Sequence, residues 1–167
     1  PDNPVVLGVI SQDATSASVV GRTVGFLNKA KELIEAIHPG GVAITGHDKY
    51  NEAAKDKMVV ELHVLIPPTT NMQDAQAVAQ AMLEKKNLLG VFMSNELAVG
   101  GVLAATTDGQ DLDRTNGKYK DLIAIGFDAG QNQKTAVRNG WFYGSITQDP
   151  YQIGYKAVEL AVKAING

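Results

Sequence analysis

Apolar and polar positions alternate along the chain in short blocks, and the blocks predict strands followed by helices. Apolar runs such as Val5–Ile10 suit strands buried on both faces, whereas Val20, Val24 and Leu27 recur at helical spacing. This alternation predicts an α/β fold: a three-layer, mostly parallel sheet with helices on both faces. The predicted strands are 5–10, 41–46, 59–66, 88–93, 122–127 and 142–146, and the predicted helices are 19–37, 51–58, 72–86, 96–105, 133–138 and 151–165.

Polar side chains follow three of the predicted strands, at the point where each strand ends. Asn95 follows the strand at 88–93, Asp128 follows the strand at 122–127, and Gln148 follows the last strand. Because ligands of open α/β sheets dock at the carboxyl ends of the strands, these side chains are predicted to share one ligand-binding edge. The polar segment 106–120 is predicted to be an insertion or a flexible loop.

These three side chains, with Phe127 beside them, suit a polyol. Amides both donate and accept, a carboxylate accepts hydroxyl protons, and an aromatic ring stacks on the C–H face of a sugar. From spacing alone, simpler roles stay open: a helix cap for Asn95, a turn for Asp128 and a hinge hydrogen bond for Gln148. Arg22, near the start of the first long helix, could reach the same crevice or carry a surface charge.

Composition narrows the class of protein. The 167 residues predict one domain, spanning 1–167, and a net charge of −3 gives no basic excess for nucleic acid. The chain has no cysteine, which excludes disulfides and thiolate sites, and its start has no signal-peptide pattern, so an exported protein would already have lost its signal. No catalytic or nucleotide-binding motif is present, and His38, His47 and His63 are not at metal-ligand spacing. We expect a protein that is not an enzyme.

An ordered series of motifs runs from Met72 to Gly167. They are Asn95-Glu96 with Ala98 and Gly100, Ile125-Gly126-Phe127-Asp128, Val137-x-x-Gly140, Thr147-Gln148-x-Pro150 and Gly154. In this order the segment resembles the C-terminal lobe of the periplasmic sugar-binding proteins of ABC transporters, of the ribose, galactose and xylose type. The resemblance implies a single lobe of that fold, a sugar bound by Asn95, Asp128 and Gln148, a membrane permease as partner, a periplasmic or extracellular location and no cofactor.

Two alignments compete in the first part of the chain. In one, residues 16–26 resemble the family's serine-rich loop and R-x-x-G-F helix, so Arg22 would be the sugar-binding arginine; in the other, Lys57 falls at that position. The first matches better and leaves one extra strand–helix unit between Gly41 and Met58. Regulators of the lac-repressor type share the fold, but residues 134–140 resemble the transport proteins.

The family binds its ligand between two lobes, whereas the sequence resembles one. We therefore expect a missing N-terminal lobe or a second chain as partner, and weak sugar binding without it. Three other interpretations stay open: a bare scaffold lobe without ligand, an effector-binding lobe of a lac-repressor-type regulator, and a phosphoacceptor signalling domain. The last is disfavoured, because Ser11-Gln12-Asp13 replaces an acidic pair and no suitable lysine follows Asp128.

Overall fold

The structure, a computed structural model, describes residues 3–166. It contains one parallel sheet of six strands in the order β2-β3-β1-β4-β5-β6. The strands are β1 (Val5–Ile10), β2 (Val42–Thr45), β3 (Val60–Leu65), β4 (Leu88–Met93), β5 (Ile123–Phe127) and β6 (Gly144–Ile146). The helices are α1 (Ala17–Glu35), α2 (Met72–Leu83), α3 (Glu96–Ala105), α4 (Gln131–Arg138) and α5 (Pro150–Asn166).

Alternating strand residues build a separate core on each face of the sheet. On the first face, Ile10, Val91 and Met93 pack with α2, α3 and α4. On the second face, Val9 and Phe92 pack against α1, where the rings of Phe26 and Phe92 stack with their centroids 4.9 Å apart. The predicted α/β architecture with helices on both faces is confirmed.

Helix α5 differs from the other helices because it leaves the sheet. From Pro150 to Ile165 every residue is exposed except Glu159, which is partly buried. None of the helices within residues 3–166 has both the length and the apolar character needed to cross a membrane.

The predicted helix at 51–58 is wrong. This segment is irregular, and its backbone pairs with strand β2: the Ile44 N–H donates to the Glu52 carbonyl at 2.8 Å, and the Glu52 N–H donates to the Ile44 carbonyl at 2.9 Å. Strand β2 is the extra strand of the Arg22 alignment and lies at the edge of the sheet, where unpaired backbone groups need a partner. Pairing with β2 therefore replaces the helical hydrogen bonds.

The prediction of a flexible loop at 106–120 is also wrong, because this segment is packed onto the body. Leu112, in a short 3-10 helix (Gln110–Leu112), is fully buried in the first core. Arg114 donates from Nε to the Gly140 carbonyl at 3.1 Å and from Nη1 to the Lys120 carbonyl at 2.9 Å. One buried leucine and one arginine thus fix a segment whose other residues are mostly polar.

Candidate functional site

The carboxyl edge of the sheet brings together the ends of β1, β4, β5 and β6, which are neighbours in that order. Strand β1 has β3 on one side and β4 on the other, so the chain changes direction across the sheet at this point. Such a switch point opens a crevice between the loops that leave the two strands. Asn95 and Asp128 follow β4 and β5 at this edge, as predicted.

Asn95 caps helix α3 and also contacts the loop after β1. Its Oδ1 accepts from the Ala98 N–H at 3.2 Å, and its Nδ2 donates to Oε1 of Gln12. The Gln12 N–H donates to Ser94 Oγ at 3.2 Å, which ties the two strand ends together. Capping α3 and binding a ligand are therefore compatible functions for Asn95. The residue is 9% exposed, and the two hydrogen bonds hold its amide in one orientation. They use one of the two hydrogens on Nδ2, so the other can donate to a ligand.

Arg22 connects the first long helix to the ends of β4 and β5. Its Nη1 donates to the Ser94 carbonyl at 3.0 Å and lies 3.6 Å from Asp128 Oδ1. Its guanidinium carbon lies 3.9 Å from the centroid of the Phe127 ring, a cation–π contact. Phe127 thus supports Arg22 on one face of its ring, while Lys57 lies exposed just before the amino end of β3, at the opposite edge of the sheet.

The backbone at Asp128 is held in an uncommon conformation. Its φ is +84°, in the left-handed region that favours glycine, although aspartate is among the residues that tolerate it. Its N–H donates to the Ile146 carbonyl at 2.8 Å, and its carbonyl accepts from Ser145 Oγ at 2.6 Å. Side-chain Oδ2 accepts from the Glu96 N–H at 3.1 Å. A carboxylate has about four lone-pair sites, so Asp128 keeps acceptor capacity for a ligand.

Comparison with known proteins shows the family. A family model described as a periplasmic binding protein domain matches residues 5–167. The chain belongs to this family.

The ribose import binding proteins RbsB of Salmonella typhimurium (strain LT2) and Escherichia coli (strain K12) are each 36% identical over 78 residues, which is 46% of this chain and 23% of theirs. A solved structure titled ABC transporter, LacI family transcriptional regulator, from Brachyspira murdochii, is 32% identical with a TM-score of 0.75; the match covers 98% of this chain and 47% of that one. An ABC-type sugar transport periplasmic component from Hahella chejuensis shares the fold at 20% identity and a TM-score of 0.68, over 99% of this chain and 49% of its own. The periplasmic binding protein domain described here thus spans about half the length of these solved relatives.

Gln148 of this periplasmic binding protein domain lies two residues after β6, at the end of the neighbouring strand. It is exposed, and within residues 3–166 its side chain makes no hydrogen bond in the structure. The structure therefore connects Arg22 and Asp128 with the backbone of Ser94 and Glu96, the two neighbours of Asn95, and leaves Gln148 outside this network. That Gln148 binds ligand stays a prediction.

Sequence reasoning did not select Gln12, the residue that orients Asn95. The polar composition of the segment Ser11-Gln12-Asp13 is typical of a solvated loop. Here Gln12 Nε2 donates to Asp13 Oδ2 at 2.9 Å, while Asp13 Oδ1 accepts from the N–H groups of Ser16 at 2.6 Å and Thr15 at 2.8 Å. The Ser16 N–H bond is the main cause that lowers the pKa of Asp13 to about 2. Asp13 is therefore a charged anchor for the loop that carries Gln12.

His63 lies in strand β3, beside Glu61 of the same strand. His63 Nδ1 is 3.0 Å from Glu61 Oε1, which also accepts from Lys85 Nζ at 3.0 Å. Burial is the first cause that lowers the pKa of His63, and the positive charge of Lys85 acts in the same direction. Within residues 3–166, no group of three His, Cys, Asp or Glu side chains could hold a metal ion.

Proposed function

We propose that this domain binds a sugar or a sugar-like polyol at the carboxyl edge of its sheet, without catalysis, as part of an ABC-type uptake system. The observation that carries the proposal is the joined cluster of Arg22, Phe127, Asp128 and Asn95 at the switch point. It offers a guanidinium, a carboxylate and an amide in fixed positions, a donor and acceptor set suited to adjacent hydroxyl groups. Gln148 would complete the set.

The names of the relatives support this class of ligand. RbsB is a ribose import binding protein, and the structure from Hahella chejuensis is a periplasmic sugar transport component. By analogy we propose a periplasmic or extracellular location and a membrane permease as partner. The cluster contains no histidine and no nucleophile with an adjacent base, which supports binding rather than chemistry.

A single lobe supplies half of the contacts of a two-lobed cleft, so we expect millimolar rather than micromolar affinity. The test is an amide NMR titration of the chain with D-ribose, D-xylose, D-galactose and D-glucose. We expect shifts for the backbone amides of Asn95, Glu96 and Asp128, and no shifts in β2.

The matched variants are Asp128→Asn and Asp121→Asn. Asparagine tolerates the left-handed backbone of residue 128, so the first variant changes charge with little strain. Asp121 lies at the amino end of β5, on the opposite edge of the sheet. We expect at least a tenfold loss of affinity for Asp128→Asn and no change for Asp121→Asn. Equal binding by both variants, or no shift with any of the sugars, would contradict the proposal.

A further inference from the structure

Two side-chain amides and a carboxylate form a chain of hydrogen bonds along the carboxyl edge of the sheet. Asn95 Nδ2 donates to Gln12 Oε1, and Gln12 Nε2 donates to Asp13 Oδ2 at 2.9 Å. At the other end, Asn95 Oδ1 accepts from the Ala98 N–H in the first turn of α3, at 3.2 Å. This amide chain therefore joins the loop after β1 to the start of the helix after β4.

The two ends of the amide chain have opposite hydrogen-bonding character. The Asp13 carboxylate, charged at neutral pH, only accepts, whereas the Ala98 N–H only donates. Each amide between them must therefore turn its nitrogen towards the carboxylate and its oxygen towards the helix. Gln12 and Asn95 both do so. Because any other arrangement would bring two donors or two acceptors together, the ends fix the orientation of both amides.

Buried hydroxyl groups hold the loop that carries the carboxylate. The Asp13 carbonyl accepts from Ser11 Oγ at 3.3 Å, and Ser11 Oγ accepts from Thr23 Oγ1 at 2.9 Å. The Gln12 N–H donates to Ser94 Oγ at 3.2 Å. Ser11, Thr23 and Ser94 are each 0% exposed. The backbone at both members of the loop is thus fixed to α1 and β4, so their side chains approach Asn95 from a constant position.

We propose that Asp13 and Gln12 are positioning residues for the ligand, and that they hold the Asn95 amide so that this side of the site offers N–H groups. The amide chain uses one hydrogen on Asn95 Nδ2 and one on Gln12 Nε2, which leaves one hydrogen on each. The carboxylate of Asp128, at the next strand end, only accepts. The site therefore suits a polyol with an accepting oxygen beside Asn95 and a donating O–H beside Asp128. This polarity rests on the proposed sugar site, whereas the amide chain does not.

Exchanging the carboxylate and the amide between the two positions tests the proposal. In the double variant Asp13→Asn with Gln12→Glu, the new amide at position 13 keeps an oxygen for the Ser16 N–H and donates through its nitrogen. The new carboxylate at position 12 accepts that bond and also accepts from Asn95. The double variant therefore keeps the net charge and every hydrogen bond of the amide chain, with the direction of one bond reversed.

Each single substitution breaks the amide chain. Gln12→Glu places two carboxylates side by side, so that they repel. Asp13→Asn brings two NH2 groups together at positions 12 and 13, and if Gln12 turns to avoid this, its NH2 group meets that of Asn95 instead. Gln12→Met removes the acceptor without adding a charge, and it replaces Gln12→Glu in both measurements if the second carboxylate prevents folding.

The first measurement is the affinity for the sugar that shifts the parent most in the NMR titration. We expect each single variant to lose roughly fivefold or more, the effect of one hydrogen bond, and the double variant to stay within roughly twofold of the parent. Asp113→Asn changes the same side chain in a similar turn before β5 and should not alter the affinity. Single variants that bind as well as the parent, or a double variant as weak as the singles, would overturn the proposal.

The side-chain NH2 signal of Asn95 gives a second measurement that needs no sugar. A proton held in a hydrogen bond exchanges slowly with water. We expect the Nδ2 proton that faces Gln12 to exchange roughly tenfold faster or more in each single variant, and at the parent rate in the double variant. A domain that binds no sugar would still show this pattern, so failure of the proposed function and failure of the positioning are distinguishable. Equal exchange in all four proteins would overturn the positioning.

Discussion

The two faces of the sheet are covered differently. On the first face, α2, α3 and α4 enclose a core that also includes Leu112 from the segment before β5. On the second face, α1 covers β1, β2 and β3, and the area above β5 and β6 is open. The same strands supply both faces, so the difference comes from the helices. Parallel sheets are usually covered on both faces, whereas within residues 3–166 helix α5 is exposed at every position from 150 to 165 except Glu159.

The difference bears on the proposed ligand-binding site, because side chains from both faces meet at the carboxyl edge. Asn95 sits at the start of α3, which packs on the first face, and its amide is oriented there. Arg22 belongs to α1, and Phe127, the last residue of β5, packs against the core on the second face. The candidate site therefore combines side chains from the enclosed first face with side chains from the partly open second face. The residue outside the network, Gln148, lies in the connection between β6 and α5.

The largest expected difference between the faces comes from truncating one large side chain in each. Leu112→Ala should lower the free energy of unfolding by about 3 kcal/mol, because it leaves a cavity in a closed core. Ile123→Ala, on the open part of the second face, should cost under about 1 kcal/mol, because Ile123 is 37% exposed and its truncation leaves no closed cavity. Urea unfolding followed by circular dichroism measures both. A loss of unfolding free energy for Leu112→Ala no larger than for Ile123→Ala would show that the first face is not the more tightly packed of the two.

A smaller effect is expected from a single methyl group between α2 and α3. A Cβ at Gly101 would lie 2.5 Å from the Ala75 carbonyl oxygen, a backbone atom that cannot turn away. Gly101→Ala should therefore destabilise the domain by about 2 kcal/mol through overpacking. The control is Gly21→Ala on α1, where a Cβ meets no atom within 4 Å; it should be neutral or stabilise by up to about 1 kcal/mol. Equal effects at the two glycines would mean that α2 and α3 separate easily.

The sequence predicted the layers of the fold because burial on both faces gives each strand a continuous apolar run. The errors lie where tertiary contacts override local pattern. Residues 51–58 have no wide apolar face, and their backbone pairs with β2 instead of forming a helix. Segment 106–120 has few apolar residues, yet Leu112 inserts into the core and Tyr119 packs against it. Periodicity cannot show either result, because each depends on a partner distant in sequence.

The candidate site residues at strand ends could be predicted from the sequence, whereas the contacts between the loops that follow those strands could not. Asn95 and Asp128 follow apolar strands, and parallel topology brings neighbouring strand ends together. Gln12 was missed because its partner Asn95 is 83 residues away, and nothing in a polar loop indicates that contact. Gln148 lies between β6 and α5, and α5 is exposed along its length in the structure. A helical pattern predicts that a helix exists, and it does not predict which surface that helix covers.

The smallest expected effect concerns the start of α1, the helix that covers the second face. Asp13 anchors the preceding loop, and its pKa of about 2 is below the unfolded value of about 4. A carboxyl whose pKa is lowered on folding adds stability that is complete above about pH 4 and is lost as the pH falls through about 2. Asp13→Asn keeps an acceptor for the Ser16 N–H and removes the charge, so it should cost about 1 kcal/mol or less at pH 7, since the group is near the surface.

Urea unfolding of the parent and of Asp13→Asn, at several values between pH 7 and pH 2, measures this difference. It should stay constant down to about pH 4 and shrink towards zero near pH 2, because the parent carboxyl is then protonated as well. Thr115 and Asn116 donate to Asp113 in a similar turn, so Asp113→Asn is a control for a turn that holds no part of the second face. If the pH-dependent loss appears at Asp113 and not at Asp13, the start of α1 is held by its packing against the sheet and not by the charged turn.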